Sequence, residues 1–220
     1  MPEGFITSTA ENGKSELPRY DFRPGKMLKT SNFYFLFILY ACIMICSLMI
    51  IGHASPIGQT VAGLTSTQAS TIVGLLGLFN SGGRVFWGAT SDKLGRLRAV
   101  MIMCILSGTT MFSMNYLTTY WLYAIGVSII AFCFGGAVGV FPAIVADNFG
   151  SKYVGINYGL MLLAYAVGAI IGPIMASEVI KVTGGNYSIA FIISGILCAI
   201  GAVMAMVYKV PMMQRRLAIE

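Results

Sequence analysis

The sequence predicts an all-α membrane protein of six transmembrane helices, and three observations carry that expectation. Of the 220 residues, 57% are hydrophobic and only 10% charged, against roughly a quarter charged in soluble domains. Between Lys29 and Arg84 lie 54 residues without a formal charge, and from Ala99 to Ala146 another 48, each about twice the roughly 20 residues that one helix needs to cross a hydrocarbon core. The 14 Lys and Arg sit in short clusters between the apolar runs, a pattern that suits orientation in a membrane better than a nucleic-acid surface. No water-facing surface can be built from charges so few and so placed, which excludes an ordinary soluble enzyme.

Each span follows from a break in these runs. The first long run is interrupted by Ser55-Pro56-Ile57-Gly58-Gln59 through Thr65-Ser66-Thr67-Gln68, where proline, glycine and hydroxyl residues end one helix and cap the next. This gives spans of about 32–53 and about 66–90. The second run divides at Asn115-Tyr116-Leu117-Thr118-Thr119-Tyr120, a polar and aromatic stretch suited to the membrane interface, giving about 98–115 and about 121–146. Two further spans, about 154–177 and about 187–208, flank Glu178, Lys181 and the turn Thr183-Gly184-Gly185-Asn186. The bundle therefore occupies residues 32–209. Residues 1–31 are polar, contain Pro2, Pro18 and Pro24, and lack the apolar stretch of a signal peptide, so they read as a flexible cytoplasmic tail. Residues 210–220 form a second tail.

An even number of spans puts both tails on one side. That side carries Lys14, Arg19, Arg23, Lys26, Lys29, Lys93, Arg96, Arg98, Lys152, Lys209, Arg215 and Arg216, and the other carries Lys181 alone. Short basic loops stay in the cytoplasm, so the expectation is a multi-pass protein of the cell membrane, embedded in lipid, with both termini cytoplasmic. The cysteines Cys42, Cys46, Cys104, Cys133 and Cys198 all fall within spans and read as small packing residues, with no disulfide, metal or cofactor indicated.

Arg84 is the most informative residue, because a guanidinium at membrane depth is costly and persists where it meets a partner, a cavity or the interface. Gly74, Gly77, Ser81, Arg84 and Gly88 fall on one stripe at helical period, with Asn80 one turn before the arginine. No Asp or Glu lies within the expected spans to neutralise it, so an anion from outside becomes the expected counter-ion. Arg84 stands six residues before Thr90, about 9 Å from the cytoplasmic end of its span, where snorkelling is the competing explanation. The fifth span carries Tyr158, Met161, Tyr165, Gly168 and Gly172, and the fourth carries Phe134, Gly135, Gly136, Val138, Gly139 and Pro142, a mixture of bulk and helix weakness expected beside a pathway. Gly135 and Gly139 also fit plain helix contact. His53 reads either as an interfacial residue or as a proton site. The spans contain no catalytic constellation.

Between the second and third spans, Gly88, Asp92, Gly95, Arg96 and Arg98 form a tight turn. It resembles the G-x-x-x-D-x-x-G-R-x-R loop of the major facilitator superfamily. That resemblance implies that the glycines permit close packing and that the acid and basic residues form a breakable cytoplasmic charge cluster, with Asp92 meeting a helix amino terminus. Pro2-Glu3-Gly4, the stretch Met27 to Tyr34, Ile50-Ile51-Gly52-His53, Leu78 to Arg84 and Asn157-Tyr158-Gly159 are similar to the oxalate:formate antiporter family within it. The match corresponds to the family's central loop and carboxy-terminal six helices, which implies that an amino-terminal six-helix half is missing or a separate chain. It also implies that Arg84 binds carboxylate. Oxalate-handling members carry lysine at the position of Tyr165, and Trp and Tyr where this chain has Phe134 and Val138. With one cation remaining, a monoanion such as formate or lactate is favoured over oxalate. The expected function is half of an alternating-access carrier for a small carboxylate, with Arg84, Asn80, Tyr165, Phe134 and Val138 shaping the site. The alternative is a truncated or helper membrane chain that does not transport without an amino-terminal partner.

Overall fold

A computed structural model describes residues 21–208. A one-turn helix α1 (Pro24–Met27) precedes six long helices: α2 (Ser31–Ala62), α3 (Ser66–Leu94), α4 (Arg96–Ser113), α5 (Tyr120–Phe149), α6 (Val154–Thr183) and α7 (Ser188–Val207). A single 3₁₀ turn, Met114–Tyr116, ends α4. Five of the long helices are long and apolar enough to cross a membrane on length and composition alone. The exception is α3, whose 29 residues suffice in length but whose glycines, hydroxyls, Asn80 and Arg84 dilute its apolarity.

The helices outrun the spans expected from the sequence. The break at Ser55 to Gln59 is not a break: α2 carries Pro56 in its interior and continues to Ala62. Tertiary contacts hold it, since the Tyr123 hydroxyl donates to the Ala54 carbonyl and Gly58 lies so close to the Tyr123 ring that a Cβ there would stand 2.8 Å from it. The helix stops at Gly63, whose φ of 60° is the left-handed conformation that glycine adopts freely. The expected cap of the next helix is present as a capping box, with Gln68 N–H donating to Thr65 Oγ1 and Thr65 N–H donating to Gln68 Oε1. At the other end α3 runs past Thr90 to Leu94, and α4 begins at Arg96. The expected turn over residues 88–98 is therefore one residue, Gly95, with φ 94°. Likewise α5 extends to Phe149, and α6 absorbs Glu178 and Lys181, which pair at 2.5 Å on its last turns.

The tail is also partly corrected. Residues 1–20 and 209–220 lie outside the described residues, but residues 21–30 are fastened to the α5–α6 junction. Phe22 N–H donates to Phe149 O at 2.8 Å, Asn157 Nδ2 donates to Phe22 O at 3.0 Å, and Lys152 N–H donates to Asp21 Oδ1 at 3.0 Å. Met27 is fully buried.

Packing is organised by three long pairings, α3 on α5, α2 on α6 and α4 on α7. Exchanging the first three long helices for the last three maps this set onto itself. Because each triplet has an odd number of helices, the two halves run through the membrane in opposite directions, the inverted repeat found in secondary carriers. Backbones approach closely at glycine: a Cβ on Gly83 would lie 2.1 Å from Phe132 O, one on Gly135 2.0 Å from Asn80 O, and one on Gly168 2.4 Å from Met44 Cβ. The core has two layers. One gathers Tyr40, Phe141, Phe149 and Trp87 toward the α3–α4 turn, and the other gathers Ile57, Met114, Tyr123 and Phe191 toward the opposite end.

Candidate functional site

In the 29-residue α3, Asn80 is the midpoint and Arg84 lies one turn beyond. At 1.5 Å per residue Arg84 is rooted about 6 Å from the helix midpoint and about 15 Å from its end. A helix of this length centred on a 30 Å hydrocarbon core would overhang it by about 7 Å at each end, which would root Arg84 about 8 Å inside the core, a depth from which its long side chain could still extend toward the interface. Its Nε donates to Asn80 Oδ1 at 3.4 Å, a long bond, and the side chain is otherwise exposed on the outer surface of the bundle. The stripe expected to accompany it is exposed as well: a Cβ on Gly74, Gly77 or Gly88 would meet nothing within 4 Å. These small residues are not used to pack this chain. Packing glycines lie instead at Gly83 on another face of α3 and on α5, where Gly135 abuts Asn80 and Gly139 abuts the backbone of Arg84. This contact is what fixes the two polar residues in place.

The aromatic members of the expected site lie against each other. Phe134, nearly buried, lies 6.0 Å from Tyr165 between ring centroids, and Tyr165 is half-buried. Val138 is half-buried and its carbonyl accepts a 3.5 Å contact from the Tyr158 hydroxyl. Two residues absent from the expected set join them. Arg84 is within electrostatic reach of the phenols of Tyr40 and Tyr158. Tyr40 is stacked on Phe141 at 3.9 Å and fully buried, with the Tyr158 phenol as the polar neighbour of its hydroxyl. Tyr158 stood in the fifth-span stripe and was legible from its spacing. Tyr40 was not, because a lone tyrosine in an apolar run carries no periodic signal.

The α3–α4 turn forms a separate charge cluster. Arg96 pairs with Asp92 across Gly95, donates from Nη1 to Ser91 Oγ at 2.9 Å, and reaches Asp147 Oδ2 at 3.4 Å from Nε. Asp92, on the last turn of α3, is thereby tied to the first residue of α4. Arg98 is exposed. Asp147 was missed because the sequence reading ended the fourth span at Ala146. At the opposite end, His53 Nε2 lies 3.4 Å from Ser177 Oγ and the His53 ring faces the Tyr187 ring at 6.3 Å. Among the described residues there is no group of three or more His, Cys, Asp or Glu able to hold a metal ion. The five cysteines are buried and unpaired, with Cys46 donating to Ser194 O at 3.1 Å.

The sequence model of the Major Facilitator Superfamily matches residues 36–216. The chain belongs to the major facilitator superfamily. Within it, the chain is 29% identical over 202 residues to the oxalate:formate antiporter of Oxalobacter formigenes, an overlap of 89% of this chain and 46% of that protein. It is 29% identical over 152 residues to the uncharacterized MFS-type transporter YhjX of Escherichia coli, covering 68% of this chain and 38% of that one. It is 30% identical over 119 residues to apicoplast pyruvate carrier 2 of Toxoplasma gondii, covering 53% of this chain and 18% of that one. These matches bear out the resemblance read from the motifs, and they identify a multi-pass membrane protein of a transporter family rather than an enzyme. The chain spans less than half the length of the relatives it matches.

Proposed function

We propose that the chain is the carboxy-terminal half of a secondary carrier for a small carboxylate, working by alternating access in the cell membrane with both termini cytoplasmic. The observation that supports this reading is the position of Arg84: near the middle of α3, exposed, and on a face whose glycine stripe no described residue covers. A guanidinium so placed needs a counter-charge and a second protein surface. The matched relatives, which are transporters about twice as long, favour an amino-terminal six-helix bundle as that surface.

In this reading Arg84 takes the carboxylate through its planar fork. Asn80 orients the guanidinium, while Phe134, Val138, Tyr165 and Tyr158 wall the site. With one cation at the site, formate or lactate balances the charge and oxalate needs a second cation from the other half. Gly95, at φ 94°, turns α3 directly into α4 while Gly88 has open space around it, and Asp92, Arg96, Arg98 and Asp147 close the cytoplasmic side by pairs that exchange during rocking. Residues 1–31 and 210–220 are the flanking cytoplasmic segments, the first acting as the connector to the missing half.

In a complete carrier, Arg84→Gln abolishes uptake of formate and lactate into vesicles, and Arg84→Lys retains a fraction of it. Undiminished uptake by the glutamine variant removes the central role given to this residue. The exposed face also supports the other reading, a helper chain that is silent until an amino-terminal partner covers it, and the two readings separate by whether any partner restores uptake.

A further inference from the structure

A recess of about 860 Å³ opens at the α3–α4 turn, bounded by the ends of α5 and α7. Its polar rim holds Lys93, Arg96 and Arg98 with Asp92 and Asp147. Arg96 pairs with both carboxylates, so among the described residues the rim carries a net charge of about one positive unit, supplied by the exposed Lys93 and Arg98. Its wall is apolar: Leu94 and Met206 are 44% and 76% exposed and stand beside those cations, with Met101, Ile144 and Ala205 behind. The recess lies where membrane-spanning helices end, the depth of the lipid headgroups.

We infer that this recess is a binding site for one anionic phospholipid, its phosphate on Lys93 and Arg98 and its first acyl carbons on Leu94 and Met206. A phosphodiester carries the single negative charge that the rim lacks, and basic pockets between helix ends on the cytoplasmic side take such headgroups. A soluble anion would use the cations alone and gain nothing from an apolar wall. The recess shares its charged rim with the cytoplasmic closure proposed above, but it does not include Arg84 or the residues around it.

The test uses the full chain in nanodiscs of roughly one part phosphatidylglycerol to four of phosphatidylcholine, with the retained phosphatidylglycerol read by native mass spectrometry and by immobilisation of a spin-labelled analogue. Lys93→Gln with Arg98→Gln lowers retention on the order of tenfold. Leu94→Asn with Met206→Asn, which keeps both cations, also lowers it. All four side chains are exposed, and a thermal melt establishes that the variants fold. The control Lys29→Gln with Lys152→Gln removes the same charge outside the recess and leaves retention unchanged. Equal loss in the control, wild-type retention in the first variant, or displacement of the lipid by glycerol phosphate overturns the site, the last in favour of a soluble anion.

Discussion

Two glycines on one helix face different neighbours, and that difference can be measured. A Cβ on Gly83 would sit 2.1 Å from Phe132 O, and backbone there cannot yield without parting α3 from α5. Gly83→Ala should therefore cost about 1–3 kcal/mol through overpacking, outweighing the gain of about 0.5–1 kcal/mol that alanine brings to a helix interior. Gly74→Ala, with open space around it, should leave the bundle as stable or slightly firmer, and thermal melts of the two variants in one detergent compare them directly. If the exposed stripe docks on another bundle, Gly74→Ala becomes harmful only when that bundle is present. Residue-level reading of the sequence found Arg84 and Asn80 because intramembrane polarity at period 3.6 is a strong signal. It did not find Tyr40, whose proximity to Tyr158 and to the field of Arg84 follows from how α2 packs on α6. Tyr158→Phe removes a phenol within the field of Arg84, so in a working carrier it should raise KM for the carboxylate several-fold while leaving expression and melting unchanged; an unchanged KM would remove Tyr158 from the site.

The number of long helices was legible from charge gaps, but their ends were not, and the reasons differ from end to end. Thr65 and Gln68 were readable as a start because a cap is a local hydrogen-bonding pattern. Pro56 misled because the sequence does not announce that Tyr123, 67 residues later, will hold the turn around Ala54. Charges mislead in the same way: Asp92, Lys93, Glu178 and Lys181 read as loop residues in the sequence, yet helices of about 45 Å extend beyond a 30 Å core and carry charge on their overhangs. Gly95 is the one residue between α3 and α4, at φ 94°. Gly95→Ala should cost about 1–3 kcal/mol and loosen the Arg96 bridge to Asp147, measured as a lower unfolding temperature and faster hydrogen exchange at the start of α4. By contrast Asp147→Asn should shift stability by only about 1 kcal/mol, since the Asp147 carboxylate is 54% exposed. A carrier defect in Asp147→Asn without a stability defect would place the pair in conformational closure rather than in folding.

At the scale of the molecule, two triplets of helices fold onto one another and still leave a polar face open. That face is α3, the one long helix too polar to pass as a membrane span by composition, with Arg84 near its middle and glycines above and below. Lipid cannot satisfy this surface, because hydrocarbon offers no acceptor to a guanidinium and no side chains to fill a groove of small residues. The bundle therefore needs a second surface, and the proposed amino-terminal half would bring both an enclosure and the opposite wall of the site. Vesicles containing only this chain should show no saturable uptake of labelled formate or lactate. Co-reconstitution with the amino-terminal six helices of a matched carrier should restore uptake and protect an Arg84→Cys variant from a water-soluble thiol reagent, the native cysteines being buried. Saturable uptake by the chain alone, with linear dependence on its concentration, would overturn the need for a partner. A dependence on the square of its concentration would instead mean that two copies of the chain close the face on each other.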